Sequence, residues 1–119
     1  MANPENKCEV TINGKTYPCH ISMAMDVVGG KWKSVILYYL KDEPKRFNEI
    51  KQLMPTITEM TLSLQLKQLE QSGLISRTVY GEKAPIKVVY EMTELGQSFK
   101  PVLASLSVWA RTMIDSKSS

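Results

Sequence analysis

The clearest pattern of hydrophobic and polar positions in the chain predicts two short helices joined by a turn. Apolar residues recur at helical spacing from Phe47 to Met54, and Pro55 ends this helix because proline cannot continue its hydrogen bonds. A second helix is predicted from Thr58 to Gln71, with either Thr56 or Thr58 as its N-terminal cap. Its inward stripe consists of three leucines at three-and-four spacing, Leu62, Leu66 and Leu69.

Two strands are predicted directly after these helices. The segments Leu74–Tyr80 and Lys87–Met92 are rich in β-branched and aromatic residues, and Gly81–Ile86 has the composition of a hairpin loop. Two helices at a turn followed by a hairpin describe a winged helix-turn-helix. The expected fold class is therefore α+β, mainly α, with a two-stranded wing.

The N-terminal segment CEVTINGKTYPC predicts another hairpin, an N-terminal arm to the domain. Asn13-Gly14 is the preferred pair for a two-residue type I′ turn, and the resulting register places Cys8 opposite Cys19. Cα atoms at such a position lie about 5.5 Å apart, within the range that a disulfide allows. The two thiols can therefore meet.

Further helices are expected on both sides of these elements. Before the central helices, the pattern predicts Ser22–Val28 and Lys31–Lys41. Five side chains of the second are expected to face inward: Trp32, Val35, Ile36, Tyr39 and Leu40. After the wing, Thr93 caps a long C-terminal helix, in which Pro101 should produce a kink or a break.

Length and composition describe one globular domain. The 119 residues are 43% hydrophobic and 23% charged, and the longest aliphatic or aromatic run is too short to span a bilayer. We therefore expect a cytoplasmic protein with no membrane partner.

The net charge of +3 is unevenly distributed. From Lys45 to Lys87, seven basic residues stand against four acidic ones, whereas the rest of the chain has eight of each. The excess lies on the predicted helices and wing, as expected for a protein that neutralises phosphates. The alternative is an ordinary solvated surface.

No pattern of catalytic or metal-binding residues is visible. The chain has one histidine, His20, and no Cys/His cluster with metal-ligand spacing. The run GGKW at residues 29–32 lacks both the earlier glycine and the following Ser or Thr of a phosphate-binding P-loop. We therefore expect no enzyme activity, no metal and no cofactor.

Several short motifs occur in one order with nearly fixed spacing. Between Cys19 and Ala110 they read GGKW, ILYYL, KRFNEI, ITEMTLSLQLKQLEQSGLI, VVYEMTELG and VWA. This set resembles the HxlR-type regulators, a branch of the MarR-like winged-helix repressors of bacteria. The resemblance implies a homodimeric repressor or activator that binds a palindromic operator in double-stranded DNA. It also implies that oxidants, quinones or aldehydes are sensed through a cysteine just before the first family helix, which matches Cys19.

Three features depart from the family pattern. His20 follows the cysteine where the family usually has proline, and Ala84-Pro85 replaces a double proline in a wing that is one residue longer. Met60 and Leu64 stand where relatives more often carry polar residues. The operator sequence and the wing contacts are therefore expected to differ from those of relatives.

In this architecture the second central helix enters the major groove. Glu59 can accept from a cytosine amino group, and Met60 and Leu64 can lie against thymine methyls unless they pack in the core. The predicted recognition residues are Thr58, Glu59, Met60, Ser63, Leu64 and Lys67. Contacts to phosphates or through the wing are assigned to Lys45, Arg46, Lys51, Arg77, Lys83 and Lys87.

A dimer surface is expected along the C-terminal helix, supported by the first helix. The residues assigned to it are Met23, Val27, Phe99, Leu103, Leu106, Trp109 and Met113. The alternative is that these side chains pack within one chain. The expected organisation is an arm or hairpin at 1–20, a winged-helix domain for DNA binding and dimerisation at 21–116, and a frayed tail at 117–119.

Cys19 is the expected redox sensor, because the N-terminus of a helix favours the reactive thiolate. Oxidation would join it to Cys8, within one chain or across the dimer, or an electrophile would alkylate it. The alternatives are an inert, partly buried thiol and a repressor whose small hydrophobic effector binds at the dimer interface with no cysteine role. A winged helix used only for protein contacts is a further possibility.

Overall fold

Short helices and strands follow one another through residues 9–117, which are the part of the chain that the computed structural model describes. The N-terminal elements are β1 (Val10–Ile12), β2 (Lys15–Tyr17), α1 (His20–Val28) and α2 (Lys33–Leu40). The central elements are β3 (Lys45–Arg46), α3 (Phe47–Leu53), α4 (Glu59–Gln71), β4 (Ile75–Tyr80) and β5 (Lys87–Met92). The last elements are α5 (Glu94–Gln97) and α6 (Lys100–Lys117). The predicted winged helix-turn-helix is confirmed.

Helices α3 and α4 form the helix-turn-helix. The backbone N–H of Thr61 donates to Thr58 Oγ1 at 3.1 Å, so Thr58, and not Thr56, caps α4. Ile57, in the turn between the helices, is 2% exposed. Burial of this turn residue fixes the entry of the chain into α4.

The wing is part of a three-stranded antiparallel sheet in the order β3-β5-β4. Strands β4 and β5 pair from Ile75↔Met92 to Tyr80↔Lys87, which confirms the predicted hairpin. Strand β3 adds the pairs Lys45↔Tyr90 and Arg46↔Val89. The expectation of two strands is therefore incomplete, because a strand of two residues has no periodicity by which a sequence could show it.

A hydrophobic core joins α2, α3, α4, the sheet and the base of α6. Its buried members are Ile36, Leu37, Leu40, Ile50, Met54, Ile57, Leu62, Leu66, Leu69, Leu74, Ile75, Tyr90, Met92 and Leu103. Helix α2 packs through Ile36, Leu37 and Leu40. Val35 is therefore turned outward and is 38% exposed, which corrects its expected inward position.

The C-terminal region is two helices, because the chain breaks between α5 and α6. Pro101 is the second residue of α6, where its missing N–H leaves no hydrogen bond unmade. Gly96 lies against the backbone of Leu74 so closely that an added Cβ would overlap the carbonyl oxygen. Although α6 has 18 residues, no helix within residues 9–117 is both long and apolar enough to cross a membrane.

The N-terminal hairpin is confirmed in its predicted register. Strands β1 and β2 pair from Val10↔Tyr17 to Ile12↔Lys15, and Asn13 and Gly14 have φ angles of 50° and 78°, as a type I′ turn requires. Cys8, its predicted continuation, lies outside the described residues. Helix α1 begins at His20, inside the expected 1–20 arm, and α6 runs through Lys117, the first residue of the expected tail.

A polar clamp holds the hairpin against α1. The Tyr17 hydroxyl donates to Asp26 Oδ2 at 2.5 Å, and Lys15 Nζ lies 3.5 Å from the same oxygen. The Tyr17 hydrogen bond, and then Lys15, lower the pKa of Asp26 below its ordinary 3.8. The bond to Asp26 in turn raises the pKa of Tyr17 above its ordinary 10.0. The clamp positions Cys19, which follows Tyr17 by two residues and is the N-cap of α1.

The pKa shifts of Asp26 and Tyr17 predict that the clamp contributes its full stability only around neutral pH. A lowered folded-state pKa gives Asp26 a stabilising contribution that is complete above 3.8 and is lost as the pH falls through the folded value. The raised pKa of Tyr17 gives a contribution that is complete below 10.0 and is lost as the pH rises through its folded value.

Replacing Asp26 should therefore detach the hairpin from α1. In Asp26→Asn we expect loss of the nuclear Overhauser contacts between the Tyr17 ring and α1 at neutral pH, with little change in thermal stability, because both groups are exposed. The matched control is Asp42→Asn, which removes a carboxylate 2.6 Å from Lys41 but away from the hairpin. Unchanged Tyr17 contacts in Asp26→Asn would refute the clamp.

Candidate nucleic-acid interface

Helix α4 shows two faces of opposite character. The leucine stripe is at most 1% exposed, whereas Met60 is 83% and Leu64 is 52% exposed on the other side. Glu59, Ser63 and Lys67 are exposed as well. The expectation that Met60 and Leu64 face solvent holds, so the outer face combines one acid, one hydroxyl, one ammonium and two apolar side chains.

Basic residues precede and follow α4 along the chain, in β3, on α3 and in the wing. Arg46 precedes α3, and its backbone N–H donates to Glu49 Oε1 at 2.7 Å, which leaves its exposed side chain outside the cap. Lys51 lies half-buried on α3. Arg77, Lys83 and Lys87 are exposed on β4, in the wing loop and at the start of β5. Five of the six predicted phosphate-contacting cations are thus at least partly accessible and make no ion pair with another described residue.

Lys45 is the exception. Its Nζ lies 2.9 Å from Glu43 Oε1, and its side chain is only 15% exposed. Its pairing with Tyr90 in the sheet places it beside a side chain that is 9% exposed, which explains the burial. Lys45 therefore makes an ion pair within the chain, and its role as a phosphate contact stays a prediction.

An apolar stripe on α6 has no cover within the described chain. Val102, Leu106, Trp109 and Met113 recur at helical spacing and are 45%, 46%, 63% and 48% exposed. After Leu103, every residue of α6 is exposed, so this helix extends beyond the core.

The other predicted dimer residues are less accessible than this stripe. Leu103 is 6% exposed and belongs to the core, so its assignment to the dimer surface is corrected: the base of α6 packs on α2. Val27 and Phe99 are half-buried and pack against the same core. Met23 is half-buried on α1.

Cys19 occupies the predicted position before the first helix. It is half-buried, and its Sγ lies 3.9 Å from Nδ1 of His20. The sequence missed the clamp that holds this region, because Tyr17 and Asp26 are nine residues apart on different elements and no local spacing marks the pair. Within residues 9–117, no group of three or more His, Cys, Asp or Glu side chains is arranged to hold a metal ion.

Comparison with known proteins gives one consistent result. A profile of the HxlR-like helix-turn-helix family matches residues 27–118. The HTH-type transcriptional regulator YkvN of Bacillus subtilis is 45% identical over 95 residues, which cover 80% of this chain and 80% of YkvN.

Solved structures agree with the sequence relatives. The redox regulator HypR in its oxidized form superposes with a TM-score of 0.74 at 39% identity, covering 79% of this chain and 96% of HypR. Quinone-bound YodB from B. subtilis superposes with a TM-score of 0.67 at 31% identity, covering 78% of this chain and 97% of YodB.

Proposed function

The chain belongs to the HxlR-like helix-turn-helix family of transcriptional regulators, and from that premise we propose that it binds a palindromic operator as a homodimer. The observation that carries the proposal is the outer face of α4, on which Met60 and Leu64 are exposed opposite a fully buried stripe. The proposed place of action is the cytoplasm, and no catalytic role is assigned.

Base recognition is assigned to α4, because the major groove is wide enough to admit a helix. Glu59 accepts from a cytosine amino group, Ser63 hydrogen-bonds a base edge, and Lys67 lies one turn further along the same exposed face. Met60 and Leu64 lie against thymine methyl groups. There the apolar side chains lose exposed surface, and no hydrogen-bonding group is left without a partner. Thr58 caps the helix, and the first turn that it begins is the part proposed to lie at the groove.

Phosphate contacts are assigned to the five accessible cations, Arg46, Lys51, Arg77, Lys83 and Lys87. They lie on both sides of α4 along the chain, with Arg46 in β3, Lys51 on α3 and the other three in the wing. Contacts of this kind fix the register of the protein on the duplex but carry no sequence information. A winged helix that bound only proteins would not need them.

Dimerisation is assigned to the exposed stripe of α6, with Met23 of α1 beside it. Two copies related by a twofold axis bury the same patch on each chain. They also place one winged helix on each half-site of a palindrome. Without such a partner, the four large apolar side chains on this face of α6 remain exposed to water.

Cys19 is proposed as the point at which oxidants or electrophiles act. It is the N-cap of α1, whose partial positive charge favours the thiolate. Oxidation would join Cys19 to Cys8, in the same chain or across the dimer, with two electrons and two protons passing to the oxidant. With a quinone, the thiolate would instead add to a ring carbon, and the adduct would take up a proton to become a hydroquinone thioether. HypR is a redox regulator and YodB is found with quinone bound. Because both resemble this chain, they support the proposal for Cys19.

Removing a wing cation should weaken binding without changing sequence preference. The measurement for Arg77→Ala is fluorescence anisotropy on the DNA upstream of its own gene. We expect the slope of log association constant against log salt concentration to fall in magnitude by about 0.9 for each subunit of the dimer. Arg111→Ala is the charge-matched control, because Arg111 is exposed on α6 outside the apolar stripe. Equal slopes for Arg77→Ala and the parent would remove Arg77 from the interface.

A charge in the α6 stripe should separate the dimer. We expect Leu106→Asp to sediment as a monomer and to lose at least tenfold in operator affinity, about 1.4 kcal/mol, because each monomer reads only one half-site. Val108→Asp is the control, since Val108 is 69% exposed on α6 but lies off the stripe. A dimeric Leu106→Asp would place the interface elsewhere.

Serine at Cys19 should leave operator binding intact and abolish its response to oxidant or quinone. The measurement is anisotropy at fixed salt before and after treatment, and again after reductant. Cys8→Ser separates the two chemistries, because it blocks the disulfide but not addition of a quinone to Cys19. A full response in Cys19→Ser would exclude the thiol and favour the alternative of a ligand-responsive repressor with a small hydrophobic effector at the dimer interface.

A further inference from the structure

Two apolar side chains lie at the centre of the outer face of α4, the proposed reading face. Successive residues of a helix are rotated by about 100°, which places Met60 and Leu64 within about 30° of the direction opposite the buried leucine stripe. Glu59 and Ser63 lie to one side of them. Met60 is 83% exposed, more than any other large apolar side chain within residues 9–117. The centre of this face is therefore apolar and uncovered.

An apolar centre restricts what α4 can face in the major groove. Guanine, cytosine and adenine present hydrogen-bonding groups there, and thymine adds an apolar one, its C5 methyl. Covering a hydrogen-bonding group with Met60 or Leu64 would remove its water without supplying a partner, which costs free energy. Covering a methyl group has no such cost and removes apolar surface from water. The pair therefore selects a methyl group at C5 of a pyrimidine.

Thymine and 5-methylcytosine carry the same C5 methyl group but differ at the neighbouring ring position. Thymine has a carbonyl oxygen there, which accepts hydrogen bonds, whereas cytosine has an amino group, which donates them. The Glu59 carboxylate only accepts, and it makes no ion pair with another described residue. Next to Met60, this carboxylate suits the amino group and repels the thymine oxygen. The two side chains together are complementary to 5-methylcytosine.

We propose that the outer face of α4 recognises the C5 methyl groups of pyrimidines, and that 5-methylcytosine is the preferred base beside Glu59. Methylation of this operator cytosine then strengthens binding, and the regulator responds to a DNA cytosine-C5 methyltransferase. The inference rests on the proposed function, since it requires α4 to lie in the major groove. It adds a signal that is carried by the operator and does not require Cys19.

The helix sets the distance between the two methyl contacts. Met60 and Leu64 are four residues apart, which separates them by about 6 Å along the helix axis. Successive bases of one strand are about 3.4 Å apart. The pair can therefore reach two methyl groups that are one or two base steps apart in each half-site.

The probe is an operator duplex that the full chain selects from random-sequence DNA, with binding measured by anisotropy at fixed salt. Deoxyuridine in place of thymidine removes one methyl group, and 5-methyldeoxycytidine in place of deoxycytidine adds one. Neither replacement changes the hydrogen bonds of the base pair. We expect each lost contact to weaken binding about fourfold, and each added contact to strengthen it about fourfold, in each half-site.

Two variants test the residues, because each replaces an apolar side chain by a polar one of similar size. Met60→Gln and Leu64→Asn change exposed side chains and leave the core intact, which circular dichroism checks. Each should lose the response to the methyl group that it faces. Leu95→Asn is the matched control and should respond as the parent does, because Leu95 is 57% exposed but lies on α5.

A third variant, Glu59→Ala, separates 5-methylcytosine from thymine. The position to compare is the one at which Met60→Gln abolishes the methyl response. There the parent should bind the duplex with 5-methylcytosine several-fold more tightly than the duplex with thymine, whereas Glu59→Ala should bind the two alike. Equal binding of the two duplexes by the parent would overturn the preference for 5-methylcytosine.

The outcomes distinguish the inference from the function on which it rests. Operator binding that responds neither to deoxyuridine nor to 5-methyldeoxycytidine overturns the inference alone. A full methyl response in both Met60→Gln and Leu64→Asn overturns the role of these residues. If Met60→Gln also changes the dimer dissociation constant, the exposed pair is a contact between copies of the chain. Failure of the parent to select any DNA overturns the proposed function together with the inference.

Discussion

Burial of the leucine stripe of α4 is the constraint on which the rest of the structure depends. Leu62, Leu66 and Leu69 are removed from water almost completely, and exposing leucines of this kind costs about 1.5–3 kcal/mol each. The stripe sets the orientation of α4 about its own axis, because rotating the helix would expose the three leucines to water. That orientation alone determines which side chains reach solvent on the other side. Core packing thereby selects the proposed reading face.

The sequence predicted most of this arrangement because its signals are local. Periodic leucines, the proline after α3 and the glycine after α4 mark the helix-turn-helix to within about two residues, which is also the usual disagreement between ways of assigning helix ends. The Asn13-Gly14 turn fixed the register of the first hairpin in the same way. Pro101 indicated the division between α5 and α6.

The features that the sequence did not predict depend on distant partners. Lys45 is the type of residue that contacts phosphate. In the fold, however, β3 pairs it with Tyr90, which is more than forty positions further along the chain. Leu103 lies on the same helix as the exposed stripe, and only the packing of α6 on α2 decides that it is buried. The clamp at Asp26 arises where the hairpin meets α1, and no spacing within one element reveals it.

Gly96 gives this arrangement a mechanical property. Its Cα lies directly against the Leu74 carbonyl, at the point where the chain leaves α4 for β4. Between α5 and the end of α4 there is thus backbone against backbone at this point, with no side chain to change rotamer and absorb a displacement. A displacement of α5 toward α4 must therefore move the backbone of the helix-turn-helix as well.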